Sequence, residues 1–317
     1  MKSFLSIKDV ENLPALVKEA FDIKKNPHGF SDLGKQNSMC LIFLNPSLRT
    51  RLSAQKAAYN LGLNTAVLDI GSQGWQLEFA DGVVMDGDKA EHIKEAAAVI
   101  GRYFDIVAIR AFAELRDRDL DYSEQIMNAF RKYCSAPIIN MESATGHPLQ
   151  AFADLITIEE HKTIEKPKVV LSWVPHPKAL PQAVANSFAK WMRAADFDLT
   201  ITHPAGYELM EEAMGNISVE YDQQKAFEGA DFVYAKNWSN YLDYGQVLSN
   251  DVAWMVTEEK MMLTNNGKFM HCLPVRRNVI VQDAVLDSSR SLVIEEAANR
   301  VVSMQTVLKN ILEDLQK

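Results

Sequence analysis

An apolar run gives way to a polar turn with two arginines in the stretch Cys40-Leu41-Ile42-Phe43-Leu44-Asn45-Pro46-Ser47-Leu48-Arg49-Thr50-Arg51-Leu52-Ser53. The run at Cys40–Leu44 is short and carries large apolar side chains, so it predicts a buried strand. A helix is predicted from Leu52 onward. Because the same order of strand and helix recurs along the chain, this stretch indicates the first unit of an α/β fold.

Nine apolar runs predict strands, four in the first half of the chain and five in the second. They are Cys40–Leu44, Thr65–Asp69, Asp105–Arg110, Ala136–Asn140, Lys168–Trp173, Asp198–His203, Ser218–Glu220, Phe232–Ala235 and Lys268–Cys272. Eight helical patterns lie between or after them, namely Leu52–Leu61, Ala90–Tyr103, Tyr122–Tyr133, Leu149–His161, Leu180–Ala195, Glu208–Met214, Asp283–Asp287 and Glu295–Gln316.

This alternation predicts an α/β fold of two parallel-sheet, three-layer domains with a cleft between them. A charged stretch at 162–168, which contains Pro167, places the boundary nearby, and we assign residues 1–148 and 149–317 to the two domains. The last helix has apolar residues at helical spacing, so we expect it to pack back on either domain. Right-handed crossovers would bring the loops that follow the strands to one edge of each sheet, where α/β proteins carry their sites.

Composition and charge exclude several classes of protein. The chain has 317 residues, of which 47% are hydrophobic and 24% charged, so it is not collagen-like, disordered or disulfide-dense. Its 33 basic and 42 acidic residues give a net charge of −9, which argues against nucleic acid as a partner. If the protein handles anions, its positive charge must therefore be concentrated locally.

Cysteine usage and hydropathy indicate a cytoplasmic protein without metal or other cofactor. The three cysteines, Cys40, Cys134 and Cys272, are too widely spaced for a disulfide framework or a zinc site. The first residues soon become charged, which is not the pattern of a signal peptide. No apolar run approaches the ~18 residues that would predict a membrane partner.

The turn at residues 45–53 has the composition of an anion site. Backbone N–H groups at the start of a helix, together with the helix dipole, attract an anion. Arg49 and Arg51 can add charge-assisted hydrogen bonds to phosphate oxygens. The alternative is a helix cap with two solvated arginines. No Lys follows a Gly-rich loop here, which excludes the P-loop of nucleotide hydrolases.

Three further stretches carry polar side chains at the carboxyl ends of predicted strands. Met141-Glu142-Ser143-Ala144-Thr145-Gly146-His147-Pro148-Leu149-Gln150 follows one strand. His271-Cys272-Leu273-Pro274-Val275-Arg276-Arg277-Asn278 closes and follows another. Arg110 ends a third. We expect these stretches to contribute to the sites at the sheet edges.

These motifs resemble those of the aspartate/ornithine carbamoyltransferase superfamily. Its Ser-x-Arg-Thr-Arg motif is matched by Ser47–Arg51, its His-Pro-x-Gln motif by His147–Gln150, and the His-Cys-Leu-Pro of the ornithine branch by His271–Pro274. The resemblance spans nearly the whole chain. It implies transfer of a carbamoyl group from carbamoyl phosphate to an amine, without metal or covalent intermediate, by positioning and charge stabilisation.

The resemblance also implies roles for individual residues. The first domain would bind carbamoyl phosphate and the second the amine. The expected carbamoyl-phosphate contacts are Ser47, Leu48 through its backbone, Arg49, Thr50, Trp75, Arg110, His147, Gln150, Cys272, Leu273 and Arg300, among which Arg110, His147, Gln150, Cys272 and Arg300 are the expected catalytic residues.

Each role has a structural alternative. His147 before Pro148 can cap a helix, Arg300 can be a surface charge, and a strand-end Cys such as Cys272 is usually a small hydrophobic residue. Trp75, after Gly71-Ser72-Gln73-Gly74, can be a core anchor. The resemblance instead places Trp75 in a loop that reaches a neighbouring subunit, which implies a homotrimer with shared sites.

Departures from the ordinary ornithine pattern indicate an N-acylornithine as the amine. The Asp and the Ser-Met-Gly loop of ordinary ornithine enzymes are absent at Tyr234-Ala235-Lys236-Asn237-Trp238-Ser239. Lys236 would repel a free ammonium, but it suits an α-carboxylate whose neighbouring nitrogen is acylated. Glu142 can accept a hydrogen bond from the acylated N–H. The alternative for Lys236 is a solvated loop charge.

The acyl group is predicted to be succinyl, with acetyl as the alternative. Acetyl-type relatives carry Glu at the place of Ala90, where a carboxylate would repel succinate, and succinyl-type relatives usually carry Pro. Acetyl-type relatives also carry a Lys at the place where this chain has Ile280. The expected N-acylornithine contacts are Glu142, His176, Lys178, Lys236, Leu273, Arg276 and Ala90, although a solvated loop is an alternative for residues 176–178. A non-catalytic carbamoyltransferase-like subunit is a further alternative.

Overall fold

Residues 1–70 and 75–317 are described by the computed structural model of the chain, which contains two parallel sheets in two units. Unit 1 comprises residues 1–114, 118–149 and 300–317, and unit 2 comprises residues 115–117 and 150–299. Among the described residues, no helix is both long enough and apolar enough to cross a membrane.

Unit 1 is built around a four-stranded sheet in the order β2-β1-β5-β6. Its strands are β1 Ser38–Phe43, β2 Asn64–Asp69, β3 Leu77–Glu78, β4 Glu91–His92, β5 Ile106–Arg110 and β6 Ile138–Glu142, with β3 and β4 forming a separate pair. Its helices are α1 Leu13–Lys25, α2 Leu48–Asn60, α3 Ile93–Tyr103, α4 Arg118–Tyr122, α5 Gln125–Tyr133 and the start of α6 Pro148–His161. A short 3₁₀ helix spans Ile7–Asp9.

The register of this sheet aligns the strand ends that carry charge. Phe43 at the end of β1 pairs with Asp69 of β2 on one side and with Arg110 of β5 on the other. Arg110 in turn pairs with Glu142 of β6. All four strands are parallel, so their last residues lie in one row. The buried β5 reads as a nearly continuous apolar run because helices cover both faces of such sheets.

Unit 2 contains a five-stranded parallel sheet in the order β11-β10-β7-β8-β9. The strands are β7 Lys168–Trp173, β8 Asp198–Thr202, β9 Ser218–Glu220, β10 Phe232–Lys236 and β11 Lys268–Met270. The helices are α7 Ala183–Ala194, α8 Glu211–Met214, α9 Gln223–Phe227, α10 Glu258–Met261, α11 Asp283–Leu286 and the first part of α12 Val293–Leu315, and Val252–Trp254 is a 3₁₀ helix.

The predicted α/β class and the two parallel sheets are confirmed, and each of the nine predicted strands is present with ends shifted by a few residues. The sequence patterns did not reveal α1, which begins after the cap Asn12, or the short elements β3, β4, α9 and α10. The pattern at Ala90–Tyr103 begins as strand rather than helix, since Glu91–His92 pairs with β3.

The end of the chain differs from the predicted division into 1–148 and 149–317. Residues 300–317 belong to unit 1. Polar contacts hold this part of α12 there: Asn60 of α2 donates to Gln305 at 2.8 Å, and the Lys309 ammonium contacts Glu19 of α1 at 2.6 Å. The helix does pack back, as expected, and it does so on the first of the two units.

A tight approach fixes the turn between α2 and β2. Gly62 has a φ of +73°, and a Cβ atom placed on it would lie 2.2 Å from the backbone oxygen of Ser31. Gly82 has the same φ of +73°, but its Cβ would meet nothing within 4 Å among the described residues. A substitution at Gly82 therefore tests backbone strain alone, whereas one at Gly62 adds a steric clash.

We predict that Gly62→Ala destabilises the protein more than Gly82→Ala does. The left-handed backbone costs an L-residue about 1 kcal/mol at either position, and the clash with Ser31 raises the cost at Gly62 to about 3 kcal/mol or more. Denaturant unfolding of both variants would measure the difference. Equal losses of unfolding free energy would show that the Gly62 turn relaxes without cost.

Candidate active site

The start of α2 presents the expected anion-binding residues in one helical turn. Ser47 is the N-cap, and its hydroxyl accepts a hydrogen bond from the Thr50 N–H at 3.4 Å. Leu48 is 69% exposed, which leaves its backbone N–H at the open end of the helix. Nε of Arg49 is buried and has no hydrogen-bond partner among the described residues. Donors and positive charge thus converge at this helix start.

Arg51 has a different environment from Arg49. Its guanidinium pairs with Asp69 at the end of β2 and stacks over the ring of Phe43 at 5.1 Å. This pair joins the first turn of α2 to the adjacent strand end. Arg51 therefore acts within the protein as a structural link, whereas the sequence suggested that both arginines are available for phosphate.

Arg110 is buried, and protein acceptors fix its guanidinium. Nε and Nη2 lie 3.1 and 3.0 Å from Oε2 of Glu142, and Nη1 donates to the carbonyl oxygens of Asn45 and Pro46 at 3.0 and 3.1 Å. The guanidinium also lies 4.1 Å from the ring centroid of Phe112. These contacts bring the end of β5 to the loop that carries Ser47.

Two more of the expected residues join this cluster. Nε2 of His147 lies 3.7 Å from Oε2 of Glu142, and His147 is only 3% exposed. Nη2 of Arg300 donates to the hydroxyl of Thr50 at 2.7 Å. Unit 1 therefore gathers the expected residues Ser47, Thr50, Arg110, Glu142, His147 and Arg300. Oε2 of Glu142 already accepts from Arg110. The expected hydrogen bond from a substrate N–H to Glu142 stays a prediction.

Glu124 organises the loop before His147 and was not identified from the sequence. One carboxylate oxygen, Oε1, accepts from the Ser143 hydroxyl at 2.7 Å, from the Thr145 N–H at 2.9 Å and from the Thr145 hydroxyl at 2.5 Å. Ser143 N–H closes the same loop onto the Gly146 carbonyl at 2.8 Å. Such a contact between residues 19 to 21 positions apart leaves no local sequence signal.

Trp75 and Ala90 lie on neighbouring segments of unit 1. The indole N–H of Trp75 donates to Glu91 at 3.1 Å, and its side chain remains 53% exposed. Ala90 is exposed, and its N–H donates to the Gln76 carbonyl at 3.0 Å. The preceding part of the predicted loop, residues 71–74, lies outside the described residues. The reach of Trp75 into another subunit stays a prediction.

Unit 2 gathers the expected cations around His176. Nε of Arg276 donates to Nε2 of His176 at 3.1 Å, so that nitrogen is an acceptor. Nδ1 then carries the hydrogen and donates to the Lys178 carbonyl at 2.8 Å. Burial lowers the pKa of His176, and the charges of Lys236, Arg276 and Lys178 lower it further. The imidazole is therefore held neutral within a cationic cluster, which we call the His176 cluster.

Lys236 is the buried member of the His176 cluster. It ends β10 and is 8% exposed, and its ammonium donates to the carbonyl of Asn237 at 3.0 Å. The Asn237 side chain donates to the Val174 carbonyl at 2.7 Å, which ties this strand end to the loop carrying His176. Lys236 is therefore buried rather than the solvated loop charge considered as an alternative, and its binding of a carboxylate stays a prediction.

The stretch after β11 contains the remaining expected residues. The Cys272 thiol contacts the hydroxyl of Tyr234, and burial raises the pKa of that phenol well above its usual value. Leu273 has a φ of +54° and precedes Pro274 in a cis peptide. Its N–H donates to Nδ1 of His271 at 2.9 Å, which shapes the turn.

Gln150 sits at the start of unit 2 with partners that the sequence did not reveal. Its Nε2 contacts Asp154 at 2.7 Å and Glu296 at 3.1 Å. Burial raises the pKa of Glu296 well above its usual value, and the nearby Asp154 raises it further. The expected residues Gln150, His176, Lys178, Lys236, Cys272, Leu273 and Arg276 all belong to this unit.

Comparison with known proteins identifies the family. The model for the carbamoyl-phosphate-binding domain of aspartate/ornithine carbamoyltransferases matches residues 2–160. The model for the aspartate- or ornithine-binding domain matches residues 181–311. This chain belongs to the aspartate/ornithine carbamoyltransferase family.

Three relatives are N-acylornithine carbamoyltransferases, two named for the succinyl and one for the acetyl substrate. An N-succinylornithine carbamoyltransferase of Bacteroides thetaiotaomicron is 56% identical, with all of both chains covered. One from Bacteroides fragilis is 55% identical over 99% of this chain and all of its own. An N-acetylornithine carbamoyltransferase of Xanthomonas axonopodis pv. citri is 38% identical over 97% of this chain and 96% of its own.

A solved structure extends the similarity to the fold. It is an N-acetyl-L-ornithine transcarbamylase with a glutamate replaced by alanine, complexed with carbamyl phosphate and N-succinyl-L-norvaline. It is 39% identical, covers 98% of this chain and 100% of its own, and has a TM-score of 0.93.

We predict that Lys236→Met raises the pKa of His176. Removing one neighbouring cation favours the protonated imidazole, whereas burial continues to lower the pKa, so the value moves only part of the way back. NMR titration of the His176 ring measures this shift. Lys225→Met, at an exposed helical position of unit 2, is the matched control and leaves the pKa of His176 unchanged. An unchanged value in Lys236→Met would contradict the described electrostatics of the cluster.

Proposed function

We propose that the protein transfers the carbamoyl group of carbamoyl phosphate to the δ-amine of N-succinyl-L-ornithine. The products are N-succinyl-L-citrulline and phosphate, and the reaction belongs to arginine biosynthesis. The structural observation that carries this proposal is the His176 cluster, in which three cations surround a neutral imidazole. Two relatives more than 50% identical bear the name of this activity.

Carbamoyl phosphate is bound through the start of α2. Its phosphate accepts hydrogen bonds from Ser47, from the backbone N–H of Leu48 and from Thr50, and Arg49 adds a charge-assisted contact. The unpartnered Nε of Arg49 among the described residues supports this assignment. The hydroxyl of Thr50 accepts from Arg300, so its own hydrogen is available to a phosphate oxygen.

The chemical step is attack of the neutral δ-amine on the carbamoyl carbon. A tetrahedral oxyanion forms, the C–O bond to phosphate breaks, and the departing phosphate takes the proton that the amine loses. Arg110 and His147 stabilise the negative charge on the carbonyl oxygen, and the contacts of both with Glu142 support their fixed placement. Donors that are held before the reaction stabilise the transition state without reorganising.

N-succinylornithine has two carboxylates and one amide that the protein can recognise. Lys236 binds the α-carboxylate, and Glu142 accepts from the amide N–H. Arg276, Lys178 and His176 bind the succinyl carboxylate, while Cys272 and the carbonyl of Leu273 line the path of the amine. Among the relatives, an acetyl-type enzyme with a glutamate changed to alanine has been crystallised with N-succinyl-L-norvaline, which supports the importance of an uncharged residue such as Ala90.

We further infer a cytoplasmic homotrimer with sites shared between chains. Trp75 would contribute to the carbamoyl-phosphate site of a neighbouring copy. Its 53% exposure and the exposure of the apolar side chains Val83, Val84 and Met85 in the following loop support an intersubunit role. Sedimentation and mixed-mutant complementation address this assembly.

Two alternatives exist, of which only the first has support among the relatives. An N-acetylornithine carbamoyltransferase agrees with the 38% identical relatives and with the same α-carboxylate site. A non-catalytic subunit would explain the absence of activity if none were found. The orientation of buried Arg110 and His147 by Glu142 argues for a working site, because desolvated charges are costly to keep.

We predict that N-succinyl-L-ornithine is the preferred amine. A second carboxylate that pairs with the His176 cluster is expected to raise kcat/KM about tenfold or more above N-acetyl-L-ornithine. Assays of citrulline-type product with succinylated, acetylated and free ornithine decide among the candidates. Preference for acetylornithine would select that alternative, and preference for free ornithine would refute the role of Lys236. No turnover with any of the three would favour the non-catalytic subunit.

We also predict that Ala90→Glu shifts the preference toward N-acetyl-L-ornithine. A carboxylate near the succinyl group adds repulsion, which should lower kcat/KM for succinylornithine about tenfold or more. Ala90→Gln adds the same bulk without charge and is the matched control. If both variants lose activity alike, size rather than charge governs this position; unchanged succinylornithine turnover in Ala90→Glu would remove Ala90 from the site.

A further inference from the structure

Glu124 has a strained backbone at the start of α5 and does not cap that helix. It is the N-cap residue, with a φ of +50° and a ψ of +40°, and its side chain makes no capping hydrogen bond to the helix. The left-handed region costs a residue of this kind about 1 kcal/mol. An N-cap side chain usually accepts an N–H of its own helix and so stabilises it. Neither the backbone nor the cap therefore accounts for a glutamate at this position.

The carboxylate of Glu124 is directed instead at the loop between β6 and α6. Its Oε1 accepts from the hydroxyl of Ser143 at 2.7 Å, and from the N–H and the hydroxyl of Thr145 at 2.9 and 2.5 Å. Ser143 is only 2% exposed. Because hydrogen bonds to a charged acceptor are stronger than those between neutral groups, these three contacts offset the backbone strain at Glu124.

The loop that receives Glu124 is also closed by its own hydrogen bonds. The N–H of Ser143 donates to the carbonyl oxygen of Gly146 at 2.8 Å. Nδ2 of Asn140, in β6, donates to the hydroxyl oxygen of Ser143 at 3.2 Å and to the carbonyl oxygen of Leu5 at 3.2 Å. Residues 143–146 are therefore fixed by β6 on one side and by Glu124 of α5 on the other.

The path of this loop decides where the ring of His147 lies. His147 follows Gly146 and precedes Pro148, and a residue before proline is restricted to extended backbone. Its side chain is 3% exposed, with Nε2 at 3.7 Å from Oε2 of Glu142. Since the backbone of His147 itself has little freedom, a change in residues 143–146 is the main way to displace its imidazole.

We propose that Glu124 is a positioning residue for His147, whose imidazole it holds where the oxyanion of carbamoyl transfer forms. The inference rests on the proposed function. Glu124 acts through Ser143 and Thr145 and is not among the residues assigned to either substrate. Misplacement of a catalytic group by about 1 Å can cost about a hundredfold in rate. Because the phosphate is held separately at the start of α2, loss of Glu124 impairs the chemical step more than the binding of carbamoyl phosphate.

Steady-state kinetics of the full chain with N-succinyl-L-ornithine test this role. We expect Glu124→Ala to lower kcat about tenfold or more, while the KM for carbamoyl phosphate changes by less than about threefold. Glu124→Gln keeps an oxygen that can accept from the Thr145 N–H and from one hydroxyl, so its kcat should stay within about threefold of the wild type. An unchanged kcat in Glu124→Ala, or an equal loss in both variants, would overturn the proposal.

Glu124→Gly separates positioning from stability and serves also if Glu124→Ala fails to fold. Glycine adopts the φ of +50° without strain, so this variant loses the carboxylate but relieves the backbone. We expect Glu124→Gly to melt at a higher temperature than Glu124→Ala and yet to lose as much kcat. A kcat that recovers together with the melting temperature would show that Glu124 only supports the fold, which contradicts the proposed role.

Asn12→Ala is the matched structural control in unit 1. Asn12 is the exposed N-cap of α1, and its side chain accepts from the Ala15 N–H at 3.0 Å. Loss of this cap should lower the melting temperature and leave kcat unchanged. If kcat fell as far as in Glu124→Ala, the effect would belong to the stability of unit 1, and Glu124 would have no positioning role.

The ring resonances of His147 in NMR spectra give a readout that needs no turnover. Their absence in His147→Asn assigns them. We expect them to shift in Glu124→Ala and to stay in place in Asn12→Ala, and identical resonances in the wild type and Glu124→Ala would refute the positioning of His147. If the wild type carbamoylates none of the three ornithines, the proposed function fails, whereas the His147 resonances still decide whether Glu124 places the ring.

Discussion

The buried contact between Arg110 and Glu142 holds the candidate site of unit 1 together. Arg110 ends β5 and Glu142 ends β6, and Nη1 of the guanidinium donates to the carbonyl oxygens of Asn45 and Pro46, just before Ser47. His147 lies against the same carboxylate oxygen. Burial of a guanidinium is costly unless its donors have acceptors, so the contacts that stabilise Arg110 also fix the helix start and the histidine around it.

The cations of the His176 cluster in unit 2, Lys178, Lys236 and Arg276, have no carboxylate within ion-pair distance among the described residues. In the His176 cluster the imidazole stays neutral and accepts from Arg276, and a backbone carbonyl receives the Lys236 ammonium. Neutral acceptors orient the cations without cancelling their charge, which leaves that charge available to an anionic ligand. The net charge of −9 therefore describes the chain as a whole and not these two groups of residues.

The fold and the positions of many candidate site residues at strand ends could be predicted because both leave local signals. Apolar runs marked the strands, and the motifs at residues 47–51, 147–150 and 271–274 followed three of them. The roles of Arg49 and Arg51 could not be separated, since both belong to one motif. Side chains two positions apart on a helix point in directions that differ by about 200°. Only the structure shows that Arg51 pairs with Asp69.

Contacts between distant segments could not be predicted from patterns. Glu124 and Glu296 have no recognisable motif, yet they contact the loop before His147 and the amide of Gln150. The end of α12 was also ambiguous, because an apolar stripe does not specify its partner. Polar pairs such as Asn60–Gln305 decide that it packs on unit 1. Packing partners were missing from the sequence signals, as were α1 and several short elements.

A crystal structure of the protein with carbamoyl phosphate and N-succinyl-L-norvaline would test the central claim most directly. We predict phosphate at Ser47–Thr50 and the succinyl carboxylate among Arg276, Lys178 and His176. A phosphate bound away from the start of α2, or a succinyl carboxylate remote from the His176 cluster, would contradict it.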